Sequence, residues 1–426
     1  MSGGECYILL MKLSEVLRER GYAHQFSSET LEGITDGAKR TVYLGIDPSA
    51  DSLHVGNLQA MLVLRRFLED GHKVILLIGG GTGMIGDPSG KSEERNLLDD
   101  ETIEMNAKAI EVQAKKLFAG LDFKMVNNAK WLRSLNLIEF LRDIGKHFSV
   151  SAMLQRDSVR ERLGKNDAGI SYTEFSYMLL QAYDFLHLNQ EYGCDVQIGA
   201  SDQWGNIVSG VDLIRRKTGK ETYAFTSPLL INRSTGKKFG KSEEGAIWLG
   251  GVKTPPFTLY QFFLNAEDGA LEELLLKLTL LRREEIDVAL EMHKRNPGAR
   301  HGQQLLARQV TALVHGSEEA SRAERISQIL FGDDPPGGMD DETLAILKSA
   351  APNYAPAKGE TILDILVNAK LADSKREARQ FIKGSAVALN GVAVTDEKLV
   401  PADPDFKDGI ALLRRGKRQT VVLILS

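Results

Sequence analysis

Tyr43-Leu44-Gly45-Ile46-Asp47-Pro48-Ser49-Ala50-Asp51-Ser52-Leu53-His54-Val55-Gly56-Asn57 is an apolar run that breaks at Asp47-Pro48 and restarts as the helical pattern Leu58, Met61, Leu62, Arg65. That order predicts a strand, a turn and a helix N-terminus. Such a terminus leaves backbone N–H groups unpaired and carries partial positive charge, so it attracts a phosphate. A second phosphate-handling segment lies far along the chain, Thr235-Gly236-Lys237-Lys238-Phe239-Gly240-Lys241-Ser242, a cationic loop with glycines at both ends. His54 on the first and Lys238 and Lys241 on the second read as two jaws for a polyphosphate, an arrangement open to a kinase or any other ATP-consuming enzyme.

Outward from the first jaw, between Arg40 and about Leu230, short apolar runs alternate with longer helical patterns. Thr41–Ile46, Val74–Ile78 and Val196–Ile198 are of the first kind, Leu58–Leu68 and Phe175–Leu186 of the second. The alternation predicts an α/β domain with a mostly parallel sheet, whose ligands bind at the C-terminal strand ends. From Leu259 to about Leu330 the pattern is helical throughout, as in Leu306, Val310, Leu313 and Val314. Residues 332–360 are enriched in Pro, Gly and Asp and read as a linker with a short helix around Glu342–Ser349. Beyond it, Ser374-Lys375-Arg376-Glu377 is a capping box, Gly384 ends the helix it starts, and Asn390-Gly391 sits between two strand-like runs. The resulting expectation is a catalytic domain over 1–235, a helical domain over 236–331 that opens with the lysine loop, the linker 332–360, and a compact α+β domain over 361–426.

The chain has 426 residues, enough for two or three domains, and 42% hydrophobic content is ample for real cores. No apolar stretch approaches the roughly 20 residues of a membrane helix. Tyr7-Ile8-Leu9-Leu10 has neither a basic region before it nor a small-residue cleavage site after it, which argues against a secretory signal. Cys6 and Cys194 are the only cysteines, so a reducing, cytoplasmic setting fits better than a disulfide framework or a structural zinc site. Residues 361–426 carry 11 Lys+Arg and 8 Asp+Glu in a chain whose net charge is −5. That basic tail suits a polyanion, although a surplus of this size is also ordinary scatter.

Two motifs mislead. Gly81-Thr82-Gly83-Met84-Ile85-Gly86 matches the dinucleotide fingerprint G-x-G-x-x-G and raises a nicotinamide oxidoreductase, yet Asp87-Pro88-Ser89-Gly90 follows where that motif must open a helix. Gly86-Asp87-Pro88-Ser89-Gly90-Lys91-Ser92 is one residue short of a Walker A loop. A glycine-rich crossing close to a ligand is the better reading of both. No G-x-S-x-G elbow, H-E-x-x-H or Cys/His cluster is present, so covalent hydrolysis and metalloprotease chemistry lack support. The polar groups near strand ends, Asp87, Gln181, Asp184, Gln197, Asp202 and Gln203, suit an amine, a carboxylate and a ribose.

The constellation closely resembles the bacterial-type tyrosine–tRNA ligases, class I aminoacyl-tRNA synthetases. His54-Val55-Gly56-Asn57 is similar to that class's HIGH signature and Lys238-Phe239-Gly240-Lys241-Ser242 to its KMSKS loop. Longer blocks resemble the tyrosine enzymes in particular: Asp47 through His54, Gly86-Asp87-Pro88-Ser89-Gly90, Gly145-Lys146-His147-Phe148-Ser149-Val150, Thr173-Glu174-Phe175-Ser176-Tyr177, Gln181-Ala182-Tyr183-Asp184, and Ser201-Asp202-Gln203-Trp204-Gly205-Asn206. The likeness runs from about Met11 to the end.

The resemblance implies a Rossmann-like catalytic domain, a helical anticodon-arm domain and an S4-like RNA-binding domain. It implies that Tyr43 and Asp184 hydrogen-bond the substrate phenol, that Asp87, Tyr177 and Gln181 hold its ammonium, and that Gln203 neighbours the reacting carboxylate. Gly45, Asp47, Asn57, Asp202 and Ser242 join the ATP site, with Gly56 admitting adenine. Ser49 and His54 face the γ-phosphate, Ser49 standing where many relatives have Thr. Lys91, Arg95, Lys238 and Lys241 close over pyrophosphate. Arg376, Arg379, Lys383, Arg414, Arg415 and Lys417 are the expected tRNA contacts. Expected partners are L-tyrosine, ATP, tRNA(Tyr) and a second copy of the chain, with the region around Phe148 contributing to a homodimer. Mg²⁺ is expected to accompany ATP, without a structural metal held by the protein.

A carboxylate attacking the α-phosphorus of ATP needs alignment and charge neutralisation rather than an enzyme nucleophile, in keeping with the missing triad. Three positions depart from the family pattern: Asn57 closes the HIGH-like signature, Ala200 stands where a second glycine is common, and Met1–Leu10 precede Met11-Lys12-Leu13, which looks like the usual family start. The tryptophan enzyme is the nearest rival, disfavoured by Tyr43 with Asp184. A non-catalytic RNA-binding scaffold is disfavoured by intact His54, Asp202, Lys238 and Lys241.

Overall fold

The computed structural model describes residues 11–88, 98–156, 159–160, 163, 169–242, 245–332, 334–416 and 419–425, with the side chains of 241 and 242 outside that description. The chain forms two compact units. One runs to Thr254 and includes Ala266–Gly302; the other comprises Pro255–Asn265 and the chain from Gln303 onward.

In the first unit six strands form one sheet: β1 (Gln25–Phe26), β2 (Thr41–Ile46), β3 (Lys73–Ile78), β4 (Lys124–Asn127), β5 (Val196–Ala200) and β6 (Tyr223–Ser227). Their order is β1-β6-β5-β2-β3-β4, with β1 antiparallel to β6 and all other pairs parallel. Val42, Tyr43 and Leu44 of β2 are all buried, as a central parallel strand covered on both faces requires. From β2 the chain first builds outward through β3 and β4, then returns to add β5 and β6 on the other side. The reversal opens a crevice beyond the C-terminal ends of β2 and β5.

Local chemistry sets the helices around this sheet. Val55–Glu69 turns Val55, Leu58, Met61, Leu62 and Phe67 inward. Asp99 caps Asp100–Phe118 by accepting the Thr102 N–H at 2.8 Å. Ser171 does the same for Tyr172–Tyr192 through Glu174 N–H at 3.2 Å, and Gly193 ends that helix in the left-handed region. Two later helices, Leu271–Leu278 and Arg283–Arg295, also belong to this unit. Buried Arg20 donates to the carbonyls of Leu276 at 2.7 Å and Thr279 at 2.9 Å, and Tyr22 Oη donates to Lys277 O at 2.9 Å.

In the second unit Pro256–Leu264 lies beside Ser317–Phe331, with Gln261 Nε2 donating to Ser327 Oγ at 2.9 Å. A five-stranded sheet follows, ordered Val392–Ala393, Val387–Leu389, Ile410–Arg415, Gln419–Ile424, Asn353–Tyr354. Helices Ile362–Asn368 and Lys375–Lys383 bury Ile362, Ile365, Leu366, Ala378 and Ile382 with Val387, Ala411, Leu413, Val421 and Leu423. Asn390 and Gly391 have φ of 48° and 83°, the left-handed pair a two-residue hairpin needs. Ser374 caps its helix through Glu377 N–H, but the Glu377 carboxylate reaches Asp373 N–H, one residue short of the reciprocal box.

The chain therefore divides elsewhere than the helical pattern suggested. Residues 236–254 stay with the main sheet, and the helical stretch is shared between both units, since periodicity reveals a helix's apolar face but not which core receives it. Within 332–360, the short helix expected around Glu342–Ser349 is present as Asp341–Ala350, and the connection also supplies a strand paired in parallel with Gln419–Ile424.

Candidate active site

Beyond the ends of β2 and β5 lies a cleft of about 500 Å³ lined by, among others, Tyr43, Asp47, His54, Asp184, Asp202 and Lys238. At one side His54 caps the Val55–Glu69 helix, its N–H donating to Asn57 Oδ1 at 3.1 Å. This fixes the helix start whose backbone dipole points into the cleft. A Cβ on Gly56 would stand 2.9 Å from the His54 ring, so glycine here leaves the imidazole its place. Asn57, expected in the ATP site, directs its side-chain carbonyl to the start of its own helix through that bond. Ser49, exposed in the cleft wall, follows on the turn through its N–H to Asp47 O at 2.8 Å.

Opposite, the lysine loop folds back on Leu230, with Phe239 N–H donating to Leu230 O at 2.8 Å. Gly240 has φ +88° and its missing Cβ would meet Val55 at 3.0 Å, so the loop rests on the helix start only because nothing projects there. Lys238 Nζ pairs with Asp202 Oδ2 at 2.7 Å, both half-exposed. The ion pair shows that these two expected polyphosphate and ribose ligands share one region, and each is held by the other. Lys241 and Ser242 pair in backbone register with Ala246 and Gly245.

The deep end of the cleft is a buried polar network. Asp184, 2% exposed, accepts from Asn128 Nδ2 at 2.8 Å and Trp131 Nε1 at 2.7 Å. Burial nevertheless pushes its carboxyl up to about 7, against the pull of those two donors. Asn128 Nδ2 also donates to Thr82 Oγ1 at 2.9 Å; Thr82 donates to Asp47 Oδ1 at 2.8 Å, and Tyr177 Oη donates to Asp47 Oδ2 at 3.0 Å. Burial raises the Tyr177 and Tyr43 hydroxyls well above the usual phenol range. Tyr43 Oη and Gln197 Oε1 are buried beside the cleft with no hydrogen-bond partner among the described residues. β2 and β5 hold these two residues in register.

Next to this network Gln203 Nε2 donates to Asp87 Oδ2 at 2.6 Å, Gln181 Nε2 donates to Gln203 Oε1 at 3.3 Å, and Asn206 Nδ2 donates to Gln181 Oε1 at 3.0 Å. The structure thus brings together Tyr43, Asp47, Ser49, His54, Gly56, Asn57, Asp87, Tyr177, Gln181, Asp184, Asp202, Gln203 and Lys238, with Gly45 on the same wall. Asp47, expected at ATP, has its carboxylate engaged by Thr82 and Tyr177 instead. Lys91 and Arg95 lie outside the described residues.

Sequence reasoning missed Thr82, Asn128, Trp131 and Asn206. Asn128 directly follows β4, and a strand-end amide was the available signal. The glycine run after β3 also acquires its reason: a Cβ on Gly79 would stand 2.0 Å from Asp47 Oδ1, so the glycines leading into the false dinucleotide motif make room for a carboxylate. Thr82–Met84 is a single 3₁₀ turn rather than a helix start.

On the tail, Arg376 and Lys383 are exposed on one helix, and Arg379 pairs with Glu397 at 2.8 Å. Arg415 lies 4.6 Å above the Phe381 ring. Arg414, expected at tRNA, instead donates to the carbonyls of Ile329 and Gly332 at the end of the Ser317–Phe331 helix. Lys417 lies outside the described residues.

The sequence matches the family described as tRNA synthetases class I (W and Y) over residues 35–332, and the family described as tyrosine–tRNA ligase SYY-like C-terminal domain over 344–423. It is 44% identical over 417 residues to the tyrosine–tRNA ligase of Staphylococcus carnosus, covering 96% of this chain and 98% of that one. With the Opitutus terrae tyrosine–tRNA ligase it shares 46% identity over 404 residues, 90% and 93% of the respective chains. Among solved structures, a C-terminally truncated mitochondrial tyrosyl-tRNA synthetase of Aspergillus nidulans superimposes with a TM-score of 0.65 at 32% identity, over 74% of this chain and 92% of that one.

Proposed function

We infer that the chain, which belongs to the class I tRNA synthetases of the tryptophan and tyrosine group, is a ligase that joins L-tyrosine to tRNA(Tyr) at the expense of ATP. The observation that carries the amino-acid assignment is two buried cleft residues, Tyr43, whose Oη has no partner among the described residues, and Asp184, accepting from two fixed donors. A phenol is the group that can donate to Asp184 and accept from Tyr43 at once. An indole N–H can only donate, which disfavours tryptophan. Selection against phenylalanine by unpaired polar groups is an example the tyrosine enzymes are already known for.

In the first step a tyrosine carboxylate oxygen bonds to the α-phosphorus while the bond from that phosphorus to the pyrophosphate oxygen breaks. Asp87, Tyr177 and Gln181 would hold the ammonium, and Gln203 would lie beside the carboxylate once its bond to Asp87 yields. Asp202 would take the ribose hydroxyls, releasing Lys238 toward pyrophosphate. His54, Ser49 and the Val55–Glu69 helix start would receive the outer phosphates, with Lys91, Arg95 and Lys241 adding positive charge. Mg²⁺ arrives with ATP as part of that substrate; among the described residues no cluster of three His, Cys, Asp or Glu is placed to hold a metal. In the second step a ribose hydroxyl at the tRNA 3′ end attacks the tyrosyl carbonyl and AMP leaves.

Arg376, Lys383 and Arg415 would contact the tRNA backbone, where phosphate contacts set register. Leu137 and Ile138, 68% and 70% exposed, form with Leu141, Val150 and Leu154 an apolar surface near Phe148 that would be the homodimer contact. No helix of the described residues is long and apolar enough to cross a membrane, and the cytoplasm would supply all three substrates. Tyrosine-dependent exchange of labelled pyrophosphate into ATP, without tRNA, tests the reading. Exchange with tyrosine and not with tryptophan is expected; none with tyrosine overturns it.

A further inference from the structure

A strap of four residues joins the lysine loop to the His54 turn. Ile247 N–H donates to Gly240 O at 2.8 Å, Val55 N–H to Ile247 O at 2.9 Å, and Leu249 N–H to Leu53 O at 2.8 Å. The strap also carries Trp248 into the cleft wall, its ring centroid 6.1 Å from that of His54. At its far end is a three-way junction. Ser52 Oγ accepts from Gly250 N–H at 2.9 Å and from Gln113 Nε2 at 3.0 Å, and donates to Leu53 O at 2.7 Å. These bonds fill the one donor and two acceptor positions of a hydroxyl. Gln113, from helix Asp100–Phe118, closes the ring by accepting Leu53 N–H at 2.8 Å. Ser52 is 6% exposed, and a Cβ on Gly250 would stand 3.0 Å from its Oγ and 3.2 Å from Gln113 Nε2, so the strap backbone comes this close only because Gly250 has no side chain.

We propose that Ser52 and Gln113 are positioning residues for tyrosine activation: they lock strap residues 247–250 onto the His54 turn, so that His54 and the lysine loop meet one polyphosphate in a fixed register. They act through the placement of Lys238 relative to His54. Donors that stabilise growing charge are effective only when held to within about 0.5 Å, and both jaws otherwise rest on separate, half-exposed loops. The inference rests on the ATP-activating reading given above.

The test uses the full chain with Ser52→Ala, Gln113→Leu, Ser52→Thr and Lys238→Ala, alone and combined. The readouts are kcat and KM for ATP in tyrosine-dependent pyrophosphate exchange, tyrosine Kd by equilibrium dialysis, and the melting temperature. Ser52→Ala and Gln113→Leu are each expected to lower kcat about tenfold, with tyrosine Kd changed less than about twofold. Ser52→Thr, which keeps the hydroxyl, should restore most of the rate. The combined Ser52→Ala and Gln113→Leu variant should be no slower than either alone, and in the Lys238→Ala background Ser52→Ala should cost less than about twofold, because it has no lysine left to place. A full multiplicative loss in that background overturns the proposal, as does a tyrosine Kd that worsens in step with kcat. A slow Lys238→Ala beside an unimpaired Ser52→Ala overturns the junction alone; a Lys238→Ala at full speed overturns the lysine-loop assignment beneath it.

Discussion

The two ends of the one cleft are built on opposite principles. At the deep end Asp47, Thr82, Asn128, Trp131 and Asp184 are tied into a chain of side-chain hydrogen bonds between 2.7 and 2.9 Å, with Asp184 buried. At the shallow end Lys238 and Asp202 hold each other across half-exposed loops. A network of the first kind cannot rearrange cheaply, since each member released leaves a buried partner unpaired. An exposed ion pair of the second kind is worth little and opens readily. Under the proposed function, recognition of the amino acid is therefore prepared in advance, while the groups that meet developing charge stay exchangeable.

The largest effect that would break this contrast is expected at the exchangeable end. Lys238→Ala should lower the rate of tyrosyl-adenylate formation about 10²-fold or more in single-turnover assays and leave tyrosine Kd nearly unchanged, because the pyrophosphate charge develops in the transition state. Comparable losses in both would show that the two ends are not separate. At the prepared end Asp184→Asn should raise tyrosine Kd by about 10- to 100-fold, the worth of a hydrogen bond to a charged group, with a smaller change in the rate from bound substrate. The ratio of exchange supported by tyrosine and by phenylalanine measures it, and an unchanged ratio would remove Asp184 from the phenol site.

A smaller effect follows from pH. The Asp184 carboxyl is raised from 3.8 to about 7, so the folded protein without tyrosine holds a proton that the unfolded chain releases near its ordinary value. Under the proposed function its ionised form would be the acceptor for the phenol, so tyrosine affinity should climb as pH rises through about 7 and level off above it, the substrate phenol itself titrating only near 10. Protein stability should move the other way, with this group's contribution greatest at low pH and declining between about 4 and 7. Asp184→Asn should flatten both profiles. The smallest effect is expected away from the cleft: Arg376→Glu should leave exchange intact and weaken tRNA charging several-fold, more steeply as salt is lowered toward physiological strength. Loss of exchange would mean that the tail has been misassigned.

Much of the exchangeable end was legible in the sequence, because phosphate handling depends on backbone and local spacing. A strand that stops at Asp47-Pro48, a helix that starts at His54 and a loop bounded by Gly236 and Gly240 can each be read from a few consecutive residues. The prepared end was legible only in its endpoints, Tyr43 and Asp184. Thr82, Asn128 and Trp131 lie between them in space but come from a glycine turn and a strand end without periodicity of their own. Arg414 failed for the same reason. Its charge suggested a solvent-facing contact, whereas a helix end brought close by tertiary folding supplied the carbonyls it binds. The allotment of helices 271–295 to the first unit likewise depends on Arg20 and Tyr22, more than 250 positions earlier.

Tyr43 Oη and Gln197 Oε1, held in register on β2 and β5, are buried without a hydrogen-bond partner among the described residues. Two buried, unmatched atoms make the protein thermodynamically unfinished on its own, each carrying a cost of about 1–3 kcal/mol that only a suitable guest can relieve. With the proposed amino acid as that guest, it would be a late component of the fold as well as a reactant, and calorimetry should detect it as such. Saturating L-tyrosine should raise the melting temperature by several degrees and L-phenylalanine by distinctly less, at equal occupancy and before any ATP is added.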